Sequence, residues 1–235
     1  MKILYNARIY TFDKAKPLAS AIAIDHGEIV AVGGDELLTE FERFDKQDLQ
    51  GYTVLPGLTD AHLHLRFYAL SLLKIDCETD TLEECLERVK QKAESSKADE
   101  WILGHGWNQN IWGGWPSTAD LDRVAPNNPV YLTAKSLHAG WGNSRALKLA
   151  DITAGTPDPK DGQIQRKQNG EPTGILLENA VLLISSLVPE PGVPALADAI
   201  ETAQPILWKM GLTGVHDFDR RDCFMALQQL HAHTG

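Results

Sequence analysis

Apolar and polar positions follow strand-like spacing at the start of this chain and helix-like spacing further on. Residues 1–35 read as strands. ILYNARIYTF predicts one strand, and AIAIDHGEIVAVG holds two short apolar runs around Asp25-His26-Gly27, a hairpin with a glycine in its turn and His26 in solvent. Residues 36–48, ELLTEFERFDKQD, are mixed and charged, which predicts a short surface helix. In GYTVLPGLTDAHLHL an apolar run broken by Pro56-Gly57 leads into a pair of histidines. From about Leu70 the pattern turns helical. Thr81 with Glu84 makes a capping box before LEECLERVKQKAESS, and Leu82, Cys85, Leu86 and Val89 share one face of that helix. WILGHGW and NNPVYLTAKS read as strands, and residues 151–174 are so rich in Gly, Pro, Asp and Asn that they predict a long loop or a small hairpin. A helix over Val193–Met210 should kink or split at Pro205. GLTGVHDF returns to strand and CFMALQQLHAH starts another helix.

Composition narrows the function classes. The 235 residues, 43% hydrophobic and 23% charged, are ordinary for a globular protein. A net charge of −10 with 22 scattered Lys and Arg excludes the electrostatic footprint of a nucleic-acid binder. No membrane span or signal peptide is legible, so the expectation is a soluble cytoplasmic protein. Cys77, Cys85 and Cys223 show neither zinc-type spacing nor an even count, which fits a reducing compartment, with Cys85 a packed thiol.

The strongest chemical signal is Asp60-Ala61-His62-Leu63-His64 at the end of an apolar strand. Alternation along a strand puts Asp60, His62 and His64 on one side, and two imidazoles roughly 6 to 7 Å apart on one face can reach a single cation. Zinc accepts neutral imidazoles in this way, and Asp60 can orient them from behind. The bare spacing does not decide, because a chain with eight histidines produces such a pair by chance often enough. A second pair, His231 and His233, lies in a predicted helix, where residues two apart diverge by about 200° and cannot share an ion.

Around the first pair, VLPGLTDAHLH resembles the first barrel strand of the amidohydrolase superfamily, in its YtcJ-like, amidohydrolase-3 branch. The resemblance continues in order through GHGWNQNIW, HAGWGNSRAL, GEPTGILLENA and GLTGVHDF, nearly the whole chain. It implies an α/β fold: a TIM (β/α)₈ barrel with a β-sandwich and a large insertion, and metal ligands at the C-terminal ends of barrel strands. It also implies that Glu178 binds or bridges the metal with His62 and His64, although Glu178 equally suits a helix start. His216 or Asp217 ends a strand where barrel chemistry collects, and His216 is the catalytic candidate. His105, Trp107, His138 and Asn143 resemble loops lining the substrate pocket, against the alternative of a packed aromatic loop. Arg145 reads as a structural ion-pair partner.

The expected organisation is sandwich strands in 1–52, the first barrel strand and metal motif in 53–69, an insertion in 70–210, and a second barrel strand with a helix start in 211–235. Later strands of the family carry further ligands and a catalytic Asp, so the chain reads as an N-terminal portion of a larger catalytic unit, poorly active alone and suited to a C-terminal half chain as partner. The function expected is hydrolysis of C–N bonds in small amide-like substrates, a divalent metal, zinc, activating water. Rival expectations are a non-catalytic binding module of the same fold and an unrelated cupin-like metal-binding protein.

Overall fold

The computed structural model describes residues 1–234, without the side chains of His233 and Thr234. The chain forms two compact units, one made of Met1–Ala61 with Leu207–His216, the other of His62–Ile206 with the segment from Asp217 onward.

In the first unit the elements run β1 (Lys2–Tyr5), β2 (Arg8–Tyr10), β3 (Leu18–Ala19), β4 (Ala21–Asp25), β5 (Glu28–Gly33), α1 (Leu37–Glu40), β6 (Asp45–Asp48), β7 (Thr53–Val54) and, as far as Ala61, β8 (Leu58–Leu63). They make a four-stranded sheet, β5-β4-β1-β6, and a three-stranded one, β3-β2-β7. The single strand expected over ILYNARIYTF is two, because Asn6 takes a left-handed φ of 52° that ends the first ladder. The β4–β5 turn is as expected. His26 and Gly27 have φ of 48° and 82°, the paired positive values of a type I′ hairpin, and His26 is exposed. The helix expected over 36–48 shrinks to α1, and Asp45–Asp48 joins β1 as a parallel edge strand. An edge position needs partners on one side only and tolerates charge, which is how four exposed polar residues become a strand. Ile3, Ala21, Ala23 and Leu37 form the buried core beneath.

The second unit contains α2 (Leu65–Ser71), β9 (Ile75–Asp76), α3 (Leu82–Ser95), β10 (Ile102–Trp107), α4 (Gln109–Trp112), α5 (Thr118–Val124), β11 (Val130–Ala134), β12 (Ala139–Gly142), α6 (Ser144–Leu149), β13 (Gly162–Arg166), β14 (Pro172–Glu178) and α7 (Leu182–Ser185). Its six-stranded sheet runs β13-β14-β12-β11-β10-β9, parallel across β9, β10 and β11 and antiparallel beyond. The Gly- and Pro-rich stretch before Gly174 resolves into the β13–β14 hairpin at the sheet's edge. Thr81 caps α3, accepting the Glu84 N–H at 3.2 Å, and Cys85, Leu86 and Val89 are buried on the predicted face. Trp107, Trp112 and Trp141 pack with ring centroids 6.1 to 6.2 Å apart, and each indole N–H finds a backbone carbonyl, on Leu132, Thr79 and Ser117. Arg145 makes the expected ion pair, with Asp99.

α8 (Val193–Lys209) is one helix despite Pro205. The carbonyl that loses its donor belongs to Glu201, and both residues are exposed, so water can replace the missing bond. After it come β15 (Leu212–Asp217) and α9 (Arg221–Thr234). β15 pairs with β8, the Leu58 N–H reaching the Gly211 carbonyl and the Phe218 N–H the Leu63 carbonyl. Among the described residues this is a two-stranded sheet and no barrel is closed. Hence β8 lacks the alternating burial of a covered strand, and His62 is exposed. His231, on α9, is exposed too, while the side chain of His233 lies outside the described residues.

Candidate metal centre

Pro56-Gly57 breaks the strand before β8, and β8 stops where α2 begins, so the two histidines stand at a strand end that turns into a helix. The rings of His62 and His64 are neighbours, with centroids 5.4 Å apart and planes at 72°. His62 stacks on Phe218 at 4.1 Å and 12°, which fixes the plane of its ring. The Nδ1 of His64 lies 3.1 Å from Oδ1 of Asp219. With Nδ1–H donating to that carboxylate, Nε2 carries the lone pair and is free to meet a cation, the carboxylate–histidine arrangement that orients metal ligands. Two neutral imidazoles fit zinc or a similar divalent ion and supply two of the four donors such an ion takes.

Asp219 was not singled out from the sequence, and its placement explains a second feature. His64 begins α2 without a side-chain cap of its own. Asp217 and Asp219 supply the acceptors instead, the first taking the Leu65 N–H at 2.9 Å and the second the Arg66 N–H at 2.6 Å. Arg66 then reaches Asp222 at 2.8 Å and Glu190 at 3.1 Å. Asp217, Asp219 and Cys223 bring ligand-type atoms within 4.8 Å of one another. Their oxygens are committed to these bonds, however. The Cys223 thiol is pushed up to about 12 by burial and then by Asp217 and Asp219, so it stays protonated and is a poor ligand. Asp217 and Asp219 anchor the start of α2, directly after His64. Only its position just past a strand end could have flagged Asp219.

Of the other candidates, His105 lines a cavity of about 510 Å³ together with His64, Phe67, Lys74, Glu78 and Lys135. His138 and Glu178 sit on a different cavity, of about 410 Å³, and bond each other, Nδ1 to Oε2, at 2.9 Å. Glu178 ends β14 with φ 50° and ψ −130°, a conformation costly for any residue but glycine. Trp107 and Asn143 line neither cavity. Both are 0% exposed. Trp107 belongs to the tryptophan core, and Asn143 caps α6 while bonding the backbone of Val130 and Asn128. Asp60, half-buried, and His216, exposed, lie on β8 and β15 in the first unit. Beside His216, it is Asp217 that turns toward the α2 start.

The sequence pattern of the amidohydrolase family matches residues 45–235, most of the chain. The chain belongs to that family. This amidohydrolase is YtcJ-like, 33% identical over 223 residues to the putative amidohydrolase YtcJ of Bacillus subtilis, covering 92% of this chain and 42% of that protein. It is 37% identical over 191 residues to the N-substituted formamide deformylase of Arthrobacter pascens, 78% of this chain and 35% of that enzyme. Among solved structures, an uncharacterized metal-dependent hydrolase from Pyrococcus furiosus matches 99% of this chain and 47% of its own, with 28% identity and a TM-score of 0.73. The amidohydrolase chain thus spans less than half the length of these relatives.

Proposed function

We propose that this amidohydrolase takes part in hydrolysis of a carbon–nitrogen bond in a small amide-like molecule, with His62 and His64 holding a divalent metal, zinc. The observation that carries the proposal is the ring pair itself: two imidazoles 5.4 Å apart, one of them oriented by a carboxylate at 3.1 Å, with His64 opening on a cavity of about 510 Å³. That volume suits a small-molecule site, for which roughly 300–1,000 Å³ is usual. A bound divalent ion would supply positive charge at the scissile carbonyl oxygen. His64 is kept in one tautomer by Asp219, Phe218 holds the ring of His62, and His105 faces the same cavity as His64 with a ring able to donate or accept a proton. To join the two histidines, Glu178 would have to give up His138 and leave the separate cavity that it lines. β8 and β15 serve in this reading as neighbouring strands of a (β/α)₈ barrel, and the formamide deformylase and the pyrococcal metal-dependent hydrolase support both the bond and the metal.

The test is a zinc titration of the metal-freed chain followed by an assay of formate release from N-substituted formamides. One equivalent of zinc, lost in the His62→Ala, His64→Ala double variant together with any turnover, is the expected result. Equal zinc binding by the double variant would overturn the assignment, and no zinc binding at all would leave a non-catalytic binding module as the better description.

A further inference from the structure

The cavity that His64 lines holds one more positive charge than it neutralises. Lys135 is paired there with Glu78. Lys74 lines the same wall, and its ammonium makes no hydrogen bond or ion pair among the described residues. Its nearest charged influence is a repulsive one, from Arg66, whose own charge is taken by Asp222 and Glu190. Desolvation first and Arg66 second disfavour the charged form of Lys74, although the residue keeps contact with solvent at the cavity wall, where an anion can reach it. The lining that Lys74 shares with His64 and His105 also includes the apolar Phe67 and Leu137, beside the hydroxyls of Ser71 and Thr133.

We infer that the molecule bound in this cavity carries a carboxylate, which Lys74 receives while an apolar body lies against Phe67 and Leu137 and the amide group reaches toward His64. The inference rests on the proposed hydrolase function for the amide end, and on Lys74 for the acid end. A single uncompensated cation matches a monoanion. A phosphate, carrying up to two charges, would leave one unpaired in a partly desolvated site.

The experiment uses the metal-freed chain, so that it is independent of the zinc assignment. Calorimetric titration compares meta-acetamidobenzoate with meta-acetamidobenzamide, which differ only in the charge of one group. The benzoate should bind about tenfold more tightly or better, as a charge-assisted bond in a partly enclosed site provides. Lys74→Met should bring the benzoate down to the affinity of the benzamide, Lys74→Arg should keep the preference, and the His62→Ala, His64→Ala double variant should keep it too. Equal binding of the two probes, binding of neither, or a preference that survives Lys74→Met overturns the inference. Should Lys74→Met not fold, the wild-type preference and a shift of the Lys74 side-chain resonance on adding the benzoate decide in its place. A failed zinc titration with an intact benzoate preference removes the metal and leaves the carboxylate site standing. The converse result removes Lys74 alone.

Discussion

His64 and Asp219 are 155 residues apart in sequence and 3.1 Å apart in space, imidazole Nδ1 against carboxylate Oδ1. The same carboxylate accepts the backbone N–H of Arg66 through its other oxygen, so one side chain orients a candidate metal ligand and starts the helix behind it. The side chain of Asp219 is 3% exposed, which keeps water from competing for either bond.

Asp219→Asn should therefore act twice. It keeps an acceptor for a backbone N–H but loses the charge facing His64, and zinc affinity should fall by about 10- to 100-fold. Weakening the helix start should cost about 1 kcal/mol in addition. Competition against a chelating dye measures the first effect and thermal unfolding the second. An unchanged zinc affinity would mean that Asp219 serves the helix alone.

Glu178 offers the opposite trade. At φ 50° and ψ −130° it sits where glycine pays little, and its bond to His138 is between two largely exposed side chains and so adds little stability. Glu178→Gly should leave stability unchanged or raise it by about 1 kcal/mol. A melting temperature several degrees below wild type would show that the conformation is not strained.

Gly174 has the reverse requirement. With φ at +98°, a β-carbon there would lie 2.4 Å from the Gly142 carbonyl oxygen. That carbonyl is backbone and cannot rotate away, and the Thr118 side-chain methyl would lie at 2.8 Å, so Gly174→Ala should destabilise the chain by more than about 1 kcal/mol. Urea unfolding followed by tryptophan fluorescence reports this directly, since Trp141 lies on the adjoining strand β12. A midpoint equal to wild type would rule the close approach out as a constraint.

Cys223 predicts a response to alkali. Its thiol rises from an ordinary 9.0 to about 12 in the folded chain, so folding favours the protonated form. The stability linked to it is fully present below about 9 and is lost as pH climbs through about 12. Native protein should resist iodoacetamide at neutral pH, and Cys223→Ala should flatten the alkaline decline in stability. Rapid alkylation of Cys223 in the native state would contradict its burial.

Much of the fold was legible because it depends on neighbours in sequence. The I′ turn needs only His26-Gly27, the start of α3 needs only Thr81 and Glu84, and the two His-x-His pairs differ in whether a strand or a helix carries them. His62 lies on β8, as its alternation predicts, but His64 stands past the strand's end as the residue before α2, so the nearness of their rings also depends on the turn into that helix. Where long-range pairing enters, local pattern stops informing. Asp45–Asp48 reads as charged helix and becomes an edge strand because β1 offers it a free side. Trp107 and Asn143 have the composition of a pocket loop, but whether an aromatic beside glycine faces a ligand or a core depends on what the sheet stacks over it, here Trp112 and Trp141.

The sequence by itself determined the strand that carries His62 and leads to His64, the periods of the helices and the family motifs, since each of these is set by residues within a few positions of one another. Only the tertiary structure decided that Asp219 holds His64, that Glu178 meets His138 on a separate cavity, and that Lys74 shares a wall with His64. Each of those depends on chain segments far apart in sequence, brought together when apolar surface is buried and backbone donors find acceptors. A polar side chain's neighbours are settled by that packing, not by its own place in the chain.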